Sequence, residues 1–311
     1  MLSSILLILF SVGLLYVGAE LLIKGASSLA VRFGLSPLFA GLTILAIGTS
    51  APVLISSLRA VSDGQGGAVV ASVIVANSLN IGLVLGLTAL LWPLKLGGKA
   101  EGNVALIMIV AALLSAWILY DQRVTKWECA VLLTLLFGYC IFLVGMGRTS
   151  HEGLSETTER NISKSALLDI VLIVAGLASL AYGARRITLS SVLIAGEFGM
   201  SEPVMGITLA LTRFGMPNLA TTLVAAFRKQ PDMALGNIIG SNILNVLAII
   251  GAASFAQPIY APGVALLDVA VMITFAVALF PMIRSGALLD RSEGFCLLLG
   301  YAVYLYWLWP K

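Results

Sequence analysis

A chain of 311 residues with 59% hydrophobic residues, only 11% charged residues and a mean hydropathy of +1.04 has too little polar surface for a water-soluble globule, where about a quarter of residues are charged. Its formal charge of +3 is too small to suggest a nucleic-acid partner, and its basic residues gather at the ends of apolar runs. Those runs, of about 20 residues each, suffice to cross a bilayer core of roughly 30 Å, so the partner that composition demands is the lipid bilayer.

Ten spans are predicted, at about 3–24, 36–58, 67–93, 103–120, 125–146, 165–183, 203–227, 233–256, 259–283 and 292–309. The first has the length of a signal peptide. It lacks a basic start, however, and its Gly18-Ala19 recurs as Gly183-Ala184, so it reads as a first transmembrane helix. The one polar stretch, 147–164, separates spans 1–5 (residues 1–146) from spans 6–10 (residues 165–311). A constant offset of 165 aligns Gly18 with Gly183, Gly34 with Gly199, Pro52 with Pro217, Asn77 with Asn242, Asn80 with Asn245 and Gly86 with Gly251, without a gap. An odd number of spans per copy turns the second copy upside down. The expected fold is therefore an all-α integral membrane protein of two inverted five-helix repeats, with broken helices at its centre. Connections on the side of the 147–164 linker hold eleven Lys and Arg against six on the other side. That bias predicts a plasma (inner) membrane protein with a cytoplasmic linker and both termini outside the cytoplasm.

Spans 2 and 7 carry the repeated motif. The first copy reads Gly41-Leu42-Thr43 and then Gly48-Thr49-Ser50-Ala51-Pro52-Val53; the second reads Gly206-Ile207-Thr208 and then Arg213-Phe214-Gly215-Met216-Pro217-Asn218. Each proline removes an amide donor and disturbs the carbonyl one turn earlier. Irregular backbone of that kind is tolerated at membrane depth only where it is buried in protein or lines a polar cavity. In spans 3 and 8, Asn237, Ser241 and Asn245 share one helical face, and their repeat counterparts are Ser72, Ala76 and Asn80. Asn80 and Asn245 are expected to line the cavity. For Asn77 and Asn242, beside these stripes, helix–helix packing is as good a reading.

Catalytic chemistry finds no residues here. Cys129, Cys140 and Cys296 lie in apolar spans at no metal-ligand spacing, and His151, the only histidine, sits in the polar linker. Without a nucleophile–base pattern an enzyme is not expected, nor is a cofactor or a dedicated metal site.

Together these blocks resemble the calcium/cation antiporter superfamily, in its compact prokaryotic sodium/calcium exchanger form. The residues that carry the likeness are Gly18-Ala19-Glu20-Leu21-Leu22, Gly41-Leu42-Thr43, Gly48-Thr49-Ser50-Ala51-Pro52, and Gly236-Asn237 continuing through Gly240-Ser241-Asn242 to Asn245. The resemblance implies ten helices in two inverted halves, ion sites at mid-membrane between them, and exchange of sodium or protons against calcium by alternating access. It also implies a calcium-binding glutamate after each motif proline, where this chain has Val53 and Asn218. The implied Gly-Thr-Ser is kept at Gly48-Thr49-Ser50 but is Arg213-Phe214-Gly215 in the second copy; the implied first-copy serine is Ala76, while Ser241 is kept.

None of the fifteen acids falls at cavity depth in spans 2, 3, 7 or 8. Calcium takes six to eight oxygens with carboxylates among them, so tight calcium binding is not expected. Arg213, near the middle of span 7, has three readings: a tethered cation in place of a bound ion, a ligand for an anionic substrate, or a structural partner for an acid such as Glu20. Two functions follow. One is a secondary transporter, sodium- or proton-coupled, moving a monovalent cation or a polar or anionic solute through Thr49, Ser50, Asn80, Arg213, Asn218, Ser241 and Asn245. The other is a non-transporting scaffold or partner subunit. Oligomeric state is left open.

Overall fold

A computed structural model describes residues 2–95, 99–148, 165–197, 211–286 and 288–308. Among them run ten helices: α1 (Leu2–Arg32), α2 (Pro37–Ser62), α3 (Gly66–Leu91), α4 (Lys99–Ile118), α5 (Lys126–Arg148), α6 (Ala166–Glu197), α7 (Met216–Phe227), α8 (Pro231–Phe255), α9 (Leu266–Gly286) and α10 (Arg291–Leu308). Eight are long and apolar enough to cross a membrane, and α7 is a shorter apolar helix. The protein is a multi-pass membrane protein. Outward-facing aromatics mark one interface: Trp117, Tyr120 and Trp127 around the α4–α5 connection, Tyr260 between α8 and α9, and Tyr306 and Trp307 at the end of α10 are all exposed.

The inverted repeat is visible in small features that the span count does not reveal. Strands β1 (Leu94–Lys95) and β4 (Leu288–Leu289) pair antiparallel, as do β2 (Arg123–Val124) and β3 (Ile259–Tyr260). The 165-residue offset carries Leu94 forward to Ile259 and Leu289 back to Val124, so one pairing is the image of the other. By connectivity they lie on opposite sides of the membrane. Two capping boxes obey the same offset. The Thr125 amide donates to Glu128 Oε2 at 2.7 Å at the start of α5, and the Asp290 amide donates to Glu293 Oε2 at 3.1 Å at the start of α10. The returning bonds run from Glu128 N–H to Thr125 Oγ1 (3.4 Å) and from Glu293 N–H to Asp290 Oδ1 (2.8 Å).

Three expectations need adjusting. Helices α1 and α6 run 31 and 32 residues, well past the predicted spans, because small residues after Lys24 continue the helix against a close neighbour. A Cβ at Gly18 would stand 2.9 Å from the Gly176 carbonyl oxygen, and one at Gly176 would stand 2.6 Å from the Leu22 amide nitrogen. The two backbones touch, as small residues allow in membranes. The predicted span 259–283 begins instead at Leu266, since Ile259–Tyr260 is the strand β3 and a turn at Pro262-Gly263 follows. Finally, the helix interruptions are widened turns rather than unwound chain. They occupy Gly41–Leu45 in α2, Asn80–Leu85 in α3, Leu211–Gly215 before α7 and Asn245–Ile250 in α8. Pro52 sits within a helical run, Ala46–Ser62, and Pro217 sits in the first turn of α7, where its missing amide costs little. The carbonyl four residues before Pro217 belongs to Arg213, inside a widened turn.

Gly206, Thr208 and most of the 147–164 linker lie outside the described residues, as does the side chain of Arg213.

Candidate functional site: a neutral amide network beside an open cavity

Helices α3 and α8 are the most deeply buried of the long spans. Close approach of α2 to α8 is set by glycine. A Cβ at Gly236 would stand 2.7 Å from the Leu38 carbonyl oxygen, and one at Gly240 would stand 2.7 Å from the Ala46 Cβ. Gly41 belongs to the same contact, since a Cβ there would stand 3.0 Å from Gly236 Cα. With the backbones this near, Thr49 Oγ1 comes within 3.5 Å of Ser241 Oγ.

Two asparagines pin α3 to α8 reciprocally. Asn77 Nδ2 donates to the Asn242 carbonyl at 3.1 Å, and Asn242 Nδ2 donates to the Asn77 carbonyl at 3.3 Å. Their own side-chain oxygens are taken by the second pair: Asn245 Nδ2 donates to Asn77 Oδ1 (2.9 Å) and Asn80 Nδ2 to Asn242 Oδ1 (2.8 Å). Each bond maps onto the other by the 165-residue offset. All four side chains are buried, and buried amides require such partners.

Symmetry fails where the motif prolines end. Asn218 Nδ2 donates to Asn80 Oδ1 at 3.0 Å, whereas its counterpart Val53 has nothing to offer Asn245. On the α8 side Ser241 Oγ donates to Asn218 Oδ1 at 3.5 Å. The amide bonds are short, but both contacts of Ser241 lie at the outer limit of hydrogen bonding. Ser241 is thus the loose joint of the network. Thr49 itself donates to the Leu45 carbonyl at 2.9 Å, at the end of the widened turn. Ser50 is buried nearby but takes no part in the network, and Thr43 donates to the Phe39 carbonyl at 2.6 Å. Thr221 and Thr222, which the sequence pattern did not single out, lie one turn along and pair with Asn237 of the predicted stripe: Asn237 Nδ2 donates to Thr221 Oγ1 (2.9 Å) and Thr222 Oγ1 (3.1 Å). Their spacing of three and four from Asn218 was the available signal.

A cavity of about 420 Å³ opens beside this network, between α2, α6 and the start of α7. Of the expected site residues whose side chains are described, only Thr49 lines it, together with the motif residues Gly48, Pro52 and Pro217, and Val53 forms part of the wall. Asn80, Asn218, Ser241 and Asn245 stand behind that wall. A Cβ at Gly48 would lie 2.6 Å from Leu177 Cδ2, so this glycine lets α6 close over the cavity floor. Glu20, one partner considered for Arg213, is occupied: Arg228 Nε donates to its two carboxylate oxygens at 3.1 and 3.0 Å. Among the described residues no group of three or more His, Cys, Asp or Glu could hold a metal ion. The central oxygens all belong to amides, hydroxyls and carbonyls.

Comparison with known proteins places this geometry. The family described as sodium/calcium exchanger protein matches residues 3–145 and again residues 168–309. CaxA of Alkalimonas amylolytica is 34% identical over the whole of both chains, and the inner membrane protein YrbG of Escherichia coli (strain K12) is 30% identical over 97% of each. The sodium/calcium exchanger MaX1 of Methanosarcina acetivorans is 27% identical, also over 97% of each chain. A solved structure of the sodium-calcium exchanger NCX_Mj, soaked with 100 mM Na+ and 10 mM Sr2+, superposes with a TM-score of 0.84 at 27% identity, covering 97% of each chain. With its two family matches falling on the two inverted halves, the chain belongs to the sodium/calcium exchanger protein family, a family of cation transporters.

Proposed function

We propose that the protein is a secondary transporter of the plasma (inner) membrane, working by alternating access between its two repeats, 1–146 and 165–311. Its central site holds a monovalent cation through neutral oxygens and does not exchange calcium. The observation that carries this is the neutral network itself: Val53 and Asn218 stand where the family resemblance implies glutamates, and Asn218 is bonded into a set of amides. Desolvation cost rises steeply with ionic charge, so a dehydrated divalent ion without a carboxylate is penalised far more than a monovalent one. Ser241 supplies the point of entry. Its two 3.5 Å contacts can lengthen at little cost, freeing Thr49 Oγ1, Ser241 Oγ and Asn218 Oδ1 to converge on an ion beside the cavity. Further support comes from the word antiporter in the name of CaxA and from the exchanger names of MaX1 and NCX_Mj.

The cavity opens toward the side of the α2–α3 connection. With both termini outside the cytoplasm and the 147–164 linker within it, that side is the outer one. Arg213, five residues before Asn218 in the sequence, is read as a tethered cation that further disfavours a divalent ion.

Reconstituted into liposomes, the protein is expected to carry radiolabelled sodium and to show no sodium-driven calcium uptake above background. The double variant Val53→Glu/Asn218→Glu is expected to gain calcium-dependent thermal stabilisation, and Arg213→Ala is expected to strengthen stabilisation by sodium. Robust calcium uptake at micromolar concentration by the unaltered protein would sink the proposal. Absence of any flux or ion response would leave a non-transporting scaffold as the function.

A further inference from the structure

The outer cavity has a charge pattern that a cation route does not explain. Its wall is mainly Leu177, Leu180, Ala184, Pro52, Val53 and Pro217, and among the described residues the one ionisable side chain lining it is Arg185. No Asp or Glu of the described residues contributes. Arg185 is exposed, and among the described residues its guanidinium has no hydrogen-bond or ion-pair partner. Its neighbours differ. Arg186 donates from Nε to the Tyr182 hydroxyl at 3.0 Å and lies 5.2 Å from the centre of that ring. Glu20, which occupies the matching position in the first repeat, is bound by Arg228. A smaller recess of about 190 Å³, lined by Tyr182, Arg185, Arg186 and Leu189, adjoins the cavity through Arg185 and Leu189.

An unpaired guanidinium at the rim of an apolar cleft that runs to mid-membrane complements an amphipathic anion. The head group takes charge-assisted hydrogen bonds from the arginine, and the hydrocarbon takes the Leu, Ala and Pro wall. A hydrated cation can pass through such a cleft toward the amide network but gains no affinity from it, since a like charge stands at the rim and no carboxylate of the described residues lines the wall. We propose that the cavity binds a single-chain anionic amphiphile, a hydrocarbon tail ending in a carboxylate or phosphate, with the head on Arg185 and the tail reaching Val53. Because the cavity floor includes Thr49 and Pro217, the bound tail closes the outer approach to the amide network. This closing role rests on the transport function above; the binding does not. The amphiphile comes either from the surrounding leaflet or from solution.

The test uses the full chain in phosphatidylcholine nanodiscs with a photoreactive dodecanoate as probe, and mass spectrometry to map the labelled peptides. Labels are expected on α2 and α6. Dodecanoate should compete about tenfold better than dodecanol, and inorganic phosphate should not compete, because head and tail are both required. Arg185→Gln should weaken labelling about tenfold, and Arg186→Gln should leave it unchanged. Ala184→Trp, which fills the cavity and keeps the arginine, should abolish labelling. Ser56→Trp fills it from the opposite wall and should do the same, should the first variant fail to fold. Lysophosphatidylglycerol in the disc that suppresses labelling identifies the leaflet as the source; suppression by added dodecanoate alone identifies a soluble one. Equal competition by dodecanol and dodecanoate, or labelling that survives both tryptophan variants, overturns the proposal. In liposomes dodecanoate should slow sodium flux through the native chain, and about tenfold more of it should be needed to slow flux through Arg185→Gln. If no flux exists at all, the transport function fails and the labelling result stands by itself.

Discussion

Asn77 and Asn242 each donate to a backbone carbonyl of the opposite repeat while accepting from another asparagine, so each engages both ends of its amide. Removing one leaves its partners unpaired in a buried layer, which costs about 1–2 kcal/mol in a membrane interior. Asn77→Leu and Asn242→Leu are each expected to lower unfolding stability by that amount in detergent. The double variant is expected to lose less than the two singles combined, because they share partners. Simple additivity would show that the reciprocal pair is not a unit. The residue types were legible in the sequence, since the 165-residue offset singles out all four asparagines. Who bonds to whom was not, because each asparagine can donate or accept and only the crossing of α3 with α8 selects among the pairings.

Helix contacts and helix ends set the energetics at the next scale. Glycines of α1 and α6 do not all have the same role: Gly176 of α6 presses a backbone against Leu22 of α1, while a Cβ at Gly13 of α1 would meet nothing within 4 Å. Gly176→Ala is therefore expected to destabilise by about 1–3 kcal/mol through overpacking. Gly13→Ala is expected to be neutral or to stabilise by up to about 1 kcal/mol through helix propensity. Thermal unfolding of the two variants side by side measures the difference. Outside the spans, Asp290 caps α10, and hydrogen bonds from the Ser292 hydroxyl and the Glu293 amide hold its carboxyl below the usual range. A depressed acid stabilises the fold above its unfolded value and loses that contribution as pH falls through the folded one. Stability of α10's first turn should thus fall below about pH 4, and Asp290→Asn should flatten that dependence in hydrogen exchange. Both capping boxes were readable as Thr125-x-x-Glu128 and Asp290-x-x-Glu293. The start of α9 was misplaced because an apolar strand and an apolar helix look alike over a few residues, and only the Pro262-Gly263 turn distinguished them.

Over the whole molecule, the paired strands on opposite faces turn topology into a measurable quantity. In a background lacking the three native cysteines, a cysteine replacing Tyr260 is expected to react with an impermeant reagent from outside the cell. One replacing Lys95 is expected to react only after permeabilisation, and the reverse pattern would invert the proposed orientation. The sequence by itself determined the membrane class, the two inverted copies and the neutral residues Val53 and Asn218 after the motif prolines, because apolar length, a gapless offset and residue identity are local properties of the chain. Only the tertiary structure decided that the amides close on one another, that Ser241 is the loose contact, and that Arg185 stands over an apolar cavity without a partner among the described residues. Those outcomes depend on how near α2, α6 and α8 approach, which backbone contacts at Gly48, Gly236 and Gly240 set and no spacing along the chain encodes.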